Sequence, residues 1–168
     1  MRYTKIFRGE KRGFSPFFPR IFSLRFYDLM KVWQLAYPHN LQHVSAPDLK
    51  LKQDKVKVKI TKALLTESDV AVYSGAIKTK CPFIPGKFAI GQVTETGADS
   101  FIRKGERVYL AGTTDDELSQ DGLKVAGETT DGFYRDFAVV NADEAYVLPS
   151  SVSDESAFLI EAVALAEK

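Results

Sequence analysis

The chain is predicted to be mainly β, folded as a barrel or sandwich with short helices and a helix at its end. Three observations predict this. Short stretches rich in Val, Ile, Tyr and Phe recur between turn signals, without the alternation of strand and long helix that a parallel sheet needs. One stretch, KVKVKI at 55–60, alternates strictly, with Val56, Val58 and Ile60 on one face and Lys55, Lys57 and Lys59 on the other. A length of 168 residues suits one domain with a real core and is short for two.

Taken in order, residues 1–29 form a basic, aromatic tail. They carry seven Arg or Lys against two acids, whereas 30–168 carry sixteen against twenty. Six phenylalanines (Phe7, Phe14, Phe17, Phe18, Phe22 and Phe26) lie in the tail, but Pro16 and Pro19 interrupt it, and no secretory signal core is present. A basic aromatic arm can touch a membrane or nucleic acid. The reading preferred here is a disordered or mis-assigned leader before a second start at Met30, which leaves 30–168 as the folded domain.

From Met30 onward, strands are expected at KVWQLA, KVKVKI, IGQVTET, ERVYLAG, GFYRDFAVV and EAYVLP. Gly91, inside a strand, marks a bulge or a close backbone approach. KGER and TDGF read as tight turns. A short helix is expected to start at Ser68, whose hydroxyl can cap it, and to stop at Gly75. At the end of the chain, Ser153 is the expected N-cap of a helix. Asp154 and Glu155 are well placed in its first turn, and apolar residues follow on almost every face. Such a helix expects a partner, either its own barrel or another surface.

Several residue types exclude whole classes of function. The single cysteine, Cys81, allows no internal disulfide and no multi-cysteine zinc cluster, which fits a reducing, cytoplasmic setting. No apolar run approaches the roughly 20 residues of a membrane-spanning helix, and with a net charge of +1 neither a membrane nor a nucleic-acid partner is expected. His39 and His43, four apart beside Pro38, read as loop or edge residues, and Cys81 reads as an ordinary thiol. Tyr73, Tyr109 and Tyr134 read as packing aromatics, and TTDDELSQD as a solvated acidic loop. No G-x-G-x-x-G occurs.

Five stretches carry a resemblance: TESDVAVYSG, PFIPGKFAIGQVTETG, FIRKGERVYLAG, DGFYRDFAVV and YVLPSSVSDESAFLIEAVALA. In this order and spacing they resemble the N-terminal domain of the zinc-type medium-chain alcohol and sorbitol dehydrogenases. That family shows G-x-C-G-[TS]-D, P-x-x-x-G-H-E-x-x-G-x-V, F-x-x-G-D-R-V, D-G-x-[FY]-A-E-[YF] and L-P-[DE]-x-[LV]-[ST]. The match covers about 30–168, and it implies the GroES-like fold, a partly open β-barrel with short helices that is ordinarily followed by an NAD(P)-binding Rossmann domain.

The resemblance also implies where a catalytic zinc would sit. The family's first ligand, a Cys, falls on Thr66. The His and Glu that follow the glycine fall on Lys87 and Phe88, and the last ligand position falls on Glu161. An ammonium and a phenyl ring have no lone pair for zinc, so no catalytic metal is expected. The stretch AGTTDDELSQDGLKVAGETTDGF, where the family keeps its four-cysteine zinc lobe, has no cysteine. The proton relay's hydroxyl falls on Ser68, but its His falls on Ala71. Asp69 matches the carboxylate that orients the His ligand.

From these departures Lys87 is expected to stand near the vacated metal position, paired with Asp69, Glu161 or both, with Phe88 filling the remaining space. There it would polarise a substrate carbonyl; the plainer alternative is a surface lysine or an inert ion pair. The expected function is that of a truncated, zinc-free alcohol dehydrogenase-like oxidoreductase domain. It would be inactive alone and have no cofactor in this chain, taking NAD(P) only from a Rossmann domain supplied elsewhere. The alternative is a non-enzymatic GroES-like module that associates with itself or with another protein through its C-terminal apolar helix. A zinc-free quinone-reductase-like enzyme is a third reading.

Overall fold

The computed structural model describes residues 29–114, 124–160 and 163. The tail up to Asp28, most of the acidic loop (115–121) and Glu161 lie outside the described residues, and Leu29, the last residue assigned to the tail, already belongs to the first strand. The strands are β1 Leu29–Tyr37, β2 Asn40–Pro47, β3 Lys55–Leu64, β4 Phe88–Thr96, β5 Arg107–Leu110, β6 Thr113–Thr114, β7 Lys124–Val125, β8 Phe137–Asn141 and β9 Ala145–Val147. Two short helices, α1 Glu67–Ser74 and α2 Asp154–Ala157, join them. Five strands form one antiparallel sheet in the order β8-β3-β4-β5-β9, and the β1-β2 hairpin and the β6-β7 pair stand apart from it.

The sheet curls because its apolar face must enclose a core. Val56, Val58, Ala89, Val93, Val108, Leu110 and Ala138 meet inside it with Phe133 from the segment that precedes β8. Gly91 is the expected close approach. A β-carbon there would collide with the Val58 side chain and the Lys59 carbonyl, and the β3-β4 register shifts next to it, between Ile60 and Lys62. At KGER, the Glu106 amide donates to the Arg103 carbonyl (3.2 Å) and Gly105 takes φ +92°.

Four expectations are corrected. The lysine face of β3 is not uniformly outward, since Lys57 is only 7% exposed. β3 is a central strand whose second face is also covered. There the Lys57 ammonium pairs with Asp48 and with Glu95 (3.4 Å) and lies 5.2 Å from the Phe137 ring centroid. Desolvation lowers the pKa of this ammonium, but its two carboxylate partners outweigh that and hold it above its ordinary value.

The cap of α1 is Thr66 rather than Ser68, and the helix ends as expected at Gly75 in the left-handed conformation (φ 81°). TDGF is not a tight turn. The amides of Gly132, Phe133 and Tyr134 donate instead to the carbonyls of Ile84, Gly86 and Pro85 at 2.6, 2.9 and 3.0 Å. For the same reason the strand expected over GFYRDFAVV shortens to β8, because 132–136 are engaged by 84–86 and by β1.

At the chain's end Ser153 is the cap, its hydroxyl accepting from the Ser156 amide at 3.1 Å. α2 is clamped to the barrel by Arg107, which donates to Asp154 Oδ1 (3.0 Å) and to the Pro149 carbonyl (2.9 Å). Lys62 adds contacts to Asp154 (3.1 Å) and Glu155 (2.8 Å). Beyond the clamp, Leu159, Ile160 and Val163 are 59%, 41% and 54% exposed.

Candidate functional site

The site begins with a capping box. Thr66 is extended (φ −114°, ψ 168°), so its amide and hydroxyl face the first turn of α1. Asp69, three residues on, accepts on Oδ2 from the Thr66 amide (2.8 Å) and the Thr66 hydroxyl (2.7 Å). Its other oxygen, Oδ1, accepts from the Gly86 amide at 3.0 Å. Asp69 is therefore buried with both oxygens occupied, and it ties the start of α1 to the segment that leads into β4.

Gly86 takes φ +106°, and a β-carbon there would sit 2.5 Å from the Tyr134 ring. The Tyr134 hydroxyl donates to the Leu64 carbonyl at 3.2 Å. Burial, and then the Asp69 carboxylate beside it, push the Tyr134 phenol well above its ordinary pKa. It stays protonated and can donate, but it cannot serve as a base near neutrality.

The next two residues diverge as neighbours at the start of a strand do. Phe88 enters an apolar cluster with Ile90, Tyr109, Leu148 and Ala157, its ring parallel to that of Tyr109 at 6.2 Å. The Lys87 side chain instead crosses toward the turn after β7. Its ammonium lies 3.5 Å from Glu128 Oε1 and 5.5 Å from the Phe88 ring centroid. Lys87 is thus a held but reachable donor, with its side chain 24% exposed.

This arrangement corrects the Asp69 half of the expected pairing: among the described residues the ammonium is held by Glu128, and no ion pair joins it to Asp69, whose oxygens already accept from backbone and hydroxyl donors. Glu161 lies outside the described residues. Ser68 lies 3.0 Å from the Thr66 hydroxyl, and no imidazole stands at Ala71 to extend a relay. Phe88 does fill space, as part of the cluster that receives α2.

Two residues that sequence reasoning passed over belong to this region. Glu128, at the tip of the β7 turn, carried no local signal. Arg135 did carry one, because it stands where the family pattern D-G-x-[FY]-A-E-[YF] places Ala. His39 and His43 are both in ring contacts, with Tyr73 and Trp33 respectively, and His39 lies in the hairpin turn at φ 65°. Cys81 is a half-buried free thiol against the cluster of Leu35, Val72 and Phe83.

The profile of the alcohol dehydrogenase GroES-like domain matches residues 52–150. The chain belongs to this family. No curated protein is a detectable relative. Among solved structures, the chain is similar to a short chain alcohol dehydrogenase (rspB) from E. coli CFT073 complexed with NADH. The identity is 26% and the TM-score 0.74, over 83% of this chain and 44% of that one. It shares its fold with 2R,3R-butanediol dehydrogenase from Bacillus subtilis (20% identity, TM-score 0.71, 82% of this chain and 45% of that). It also shares it with a cobalt- and zinc-bound thermostable alcohol dehydrogenase from Pyrobaculum aerophilum (23% identity, TM-score 0.65, 76% and 44%). The chain thus spans less than half the length of these proteins.

The family implies zinc, but the donor set here does not fit it. Lys87 presents an ammonium committed to Glu128, Phe88 presents no donor, and the Thr66 hydroxyl is committed to the capping box. Among the described residues, no group of three or more His, Cys, Asp or Glu converges as a metal cage would require.

Proposed function

We propose that this GroES-like domain is the substrate-side half of a zinc-free alcohol dehydrogenase-like oxidoreductase, and that hydride transfer requires an NAD(P)-binding domain which these 168 residues do not contain. The observation that carries the reading is the Lys87 ammonium. It follows Gly86 at the position where the family keeps a zinc-binding His, it is partly exposed, and its partner Glu128 is 3.5 Å away. A cation in that place can donate a hydrogen bond to a carbonyl oxygen as negative charge develops on it. Asp69 and Tyr134 hold the backbone from which Lys87 projects; neither acts as a base. The nicotinamide, when bound, supplies the hydride, and this chain's residues bind and polarise the acceptor.

The exposed apolar residues Leu159, Ile160 and Val163 support docking of such a domain on the α2 side. The same residues favour the second reading, a non-enzymatic module that uses this face to bind itself or another protein.

An NADH titration monitored by nicotinamide fluorescence separates the readings. The 168-residue chain alone is expected to leave the emission unchanged. With a Rossmann-type domain encoded beside it, binding and carbonyl reduction are expected, and Lys87→Met is expected to lower kcat by about 100-fold. NADH binding by the isolated chain contradicts the first reading. Full activity in Lys87→Met removes the assigned role of the lysine.

A further inference from the structure

Arg135 is a half-buried cation of the barrel that the site above leaves unused. Its Nε is sealed from solvent and has no hydrogen-bond partner among the described residues. Asp131 acts on the guanidinium electrostatically without forming an ion pair, and burial dominates. A guanidinium cannot shed its proton in a protein. It remains a half-buried cation with one donor nitrogen sealed from water and unpaired, a cost that a partner on the guanidinium would offset.

The side chain borders a cavity of about 600 Å³ at the opening of the half-barrel. A closed barrel would zip this gap shut; here the two edge strands, β8 through Val139 and Asn141 and β9 through Tyr146, bound it from opposite sides. Lys55 and Lys124 also line it, the Lys55 ammonium donating to Asn141 Oδ1. Of the acids there, Glu144 is occupied by the Asn141 amide (3.2 Å) and Nδ2 (2.6 Å), and Asp131 Oδ1 accepts from the Ile84 amide at 3.0 Å. Asp143 is exposed on the rim. The volume falls within the range of small-molecule sites, about 300–1,000 Å³, and exceeds what a lone inorganic ion fills.

From the cavity and the unpartnered guanidinium together, we propose that the opening of the half-barrel binds a small organic anion through its carboxylate or phosphate group, with Arg135 as the anchoring residue. A planar fork of donors suits either group. Lys87 is not among the residues that line the cavity, and the proposal stands whether or not the chain reduces carbonyls.

The test is thermal unfolding of the full chain in citrate, in inorganic phosphate and in chloride at one ionic strength. Citrate or phosphate is expected to raise Tm saturably by roughly 2–5 °C over chloride. Arg135→Met is expected to lose that rise and, in chloride, to melt no lower than the unsubstituted chain, because it removes an unpaired buried donor. Arg135→Lys is expected to keep a smaller rise. No rise with either anion overturns the proposal, and so does an equal rise in Arg135→Met, which marks adventitious surface binding only. Arg135→Met melting well below the unsubstituted chain in chloride also overturns it, since the guanidinium would then already have a partner.

Discussion

Gly86→Ala is expected to destabilise the domain by about 3 kcal/mol or more in urea unfolding. Two terms add. The backbone at φ +106° disfavours any side chain, and the added carbon would lie 2.5 Å from the Tyr134 ring and 2.8 Å from the Tyr134 amide nitrogen. The amide cannot retreat, because it is bonded to the Pro85 carbonyl. Gly105→Ala supplies the comparison. Gly105 also has a positive φ, +92°, but nothing lies within 4 Å of its β-carbon position. It should cost only the conformational term, about 1–2 kcal/mol. Equal losses at the two positions would show that the crossing of 84–86 over 132–134 is looser than described.

Asp69→Ala is expected to cost about 3–5 kcal/mol, since it strands the buried Gly86 amide, the Thr66 amide and the Thr66 hydroxyl at once. Asp69→Asn keeps one acceptor oxygen and should fall between. Lys87→Met, by contrast, should change stability by no more than about 1 kcal/mol, because its ion pair is partly exposed and long. The double substitution of Asp69 and Lys87 should be additive within roughly 0.5 kcal/mol, as expected of groups that share no contact. A coupling well above that would restore the Lys87–Asp69 pair that the structure does not contain.

Why some of this was readable from the chain, and some was not, follows from the range of each interaction. The alternation at 55–60 names the core face of β3 because Val56 and Val58 meet it every second residue. It misplaces Lys57 because burial of the other face depends on Asp48, Glu95 and Phe137, which arrive from three other elements. The cap of α1 was local and could have been placed: a Thr followed three residues later by an acid marks Thr66, not Ser68, as the start. TDGF reads as a turn in isolation. Its glycine is used instead to let two backbones touch, as the Gly132 amide bonds to the Ile84 carbonyl 48 positions away in the numbering.

The candidate site divides in the same way. Thr66, Asp69, Lys87 and Phe88 were found because the family's motifs fix their order along the chain. Their partners were not, since an ammonium's choice between Asp69 and Glu128 is decided by which carboxylate is already saturated, and that is a property of the folded capping box. Arg135 was visible as a departure from the motif's Ala, but only the half-barrel's open edge shows what such a departure leaves unpaired.

The most direct test is the zinc content of the full chain, purified from zinc-supplemented cells and measured by atomic emission. An ammonium bound to Glu128, a phenyl ring in the apolar cluster and a hydroxyl spent on a helix cap predict a metal content far below one equivalent. One tightly held zinc per chain, lost on substituting Thr66 or Glu161, would contradict the account.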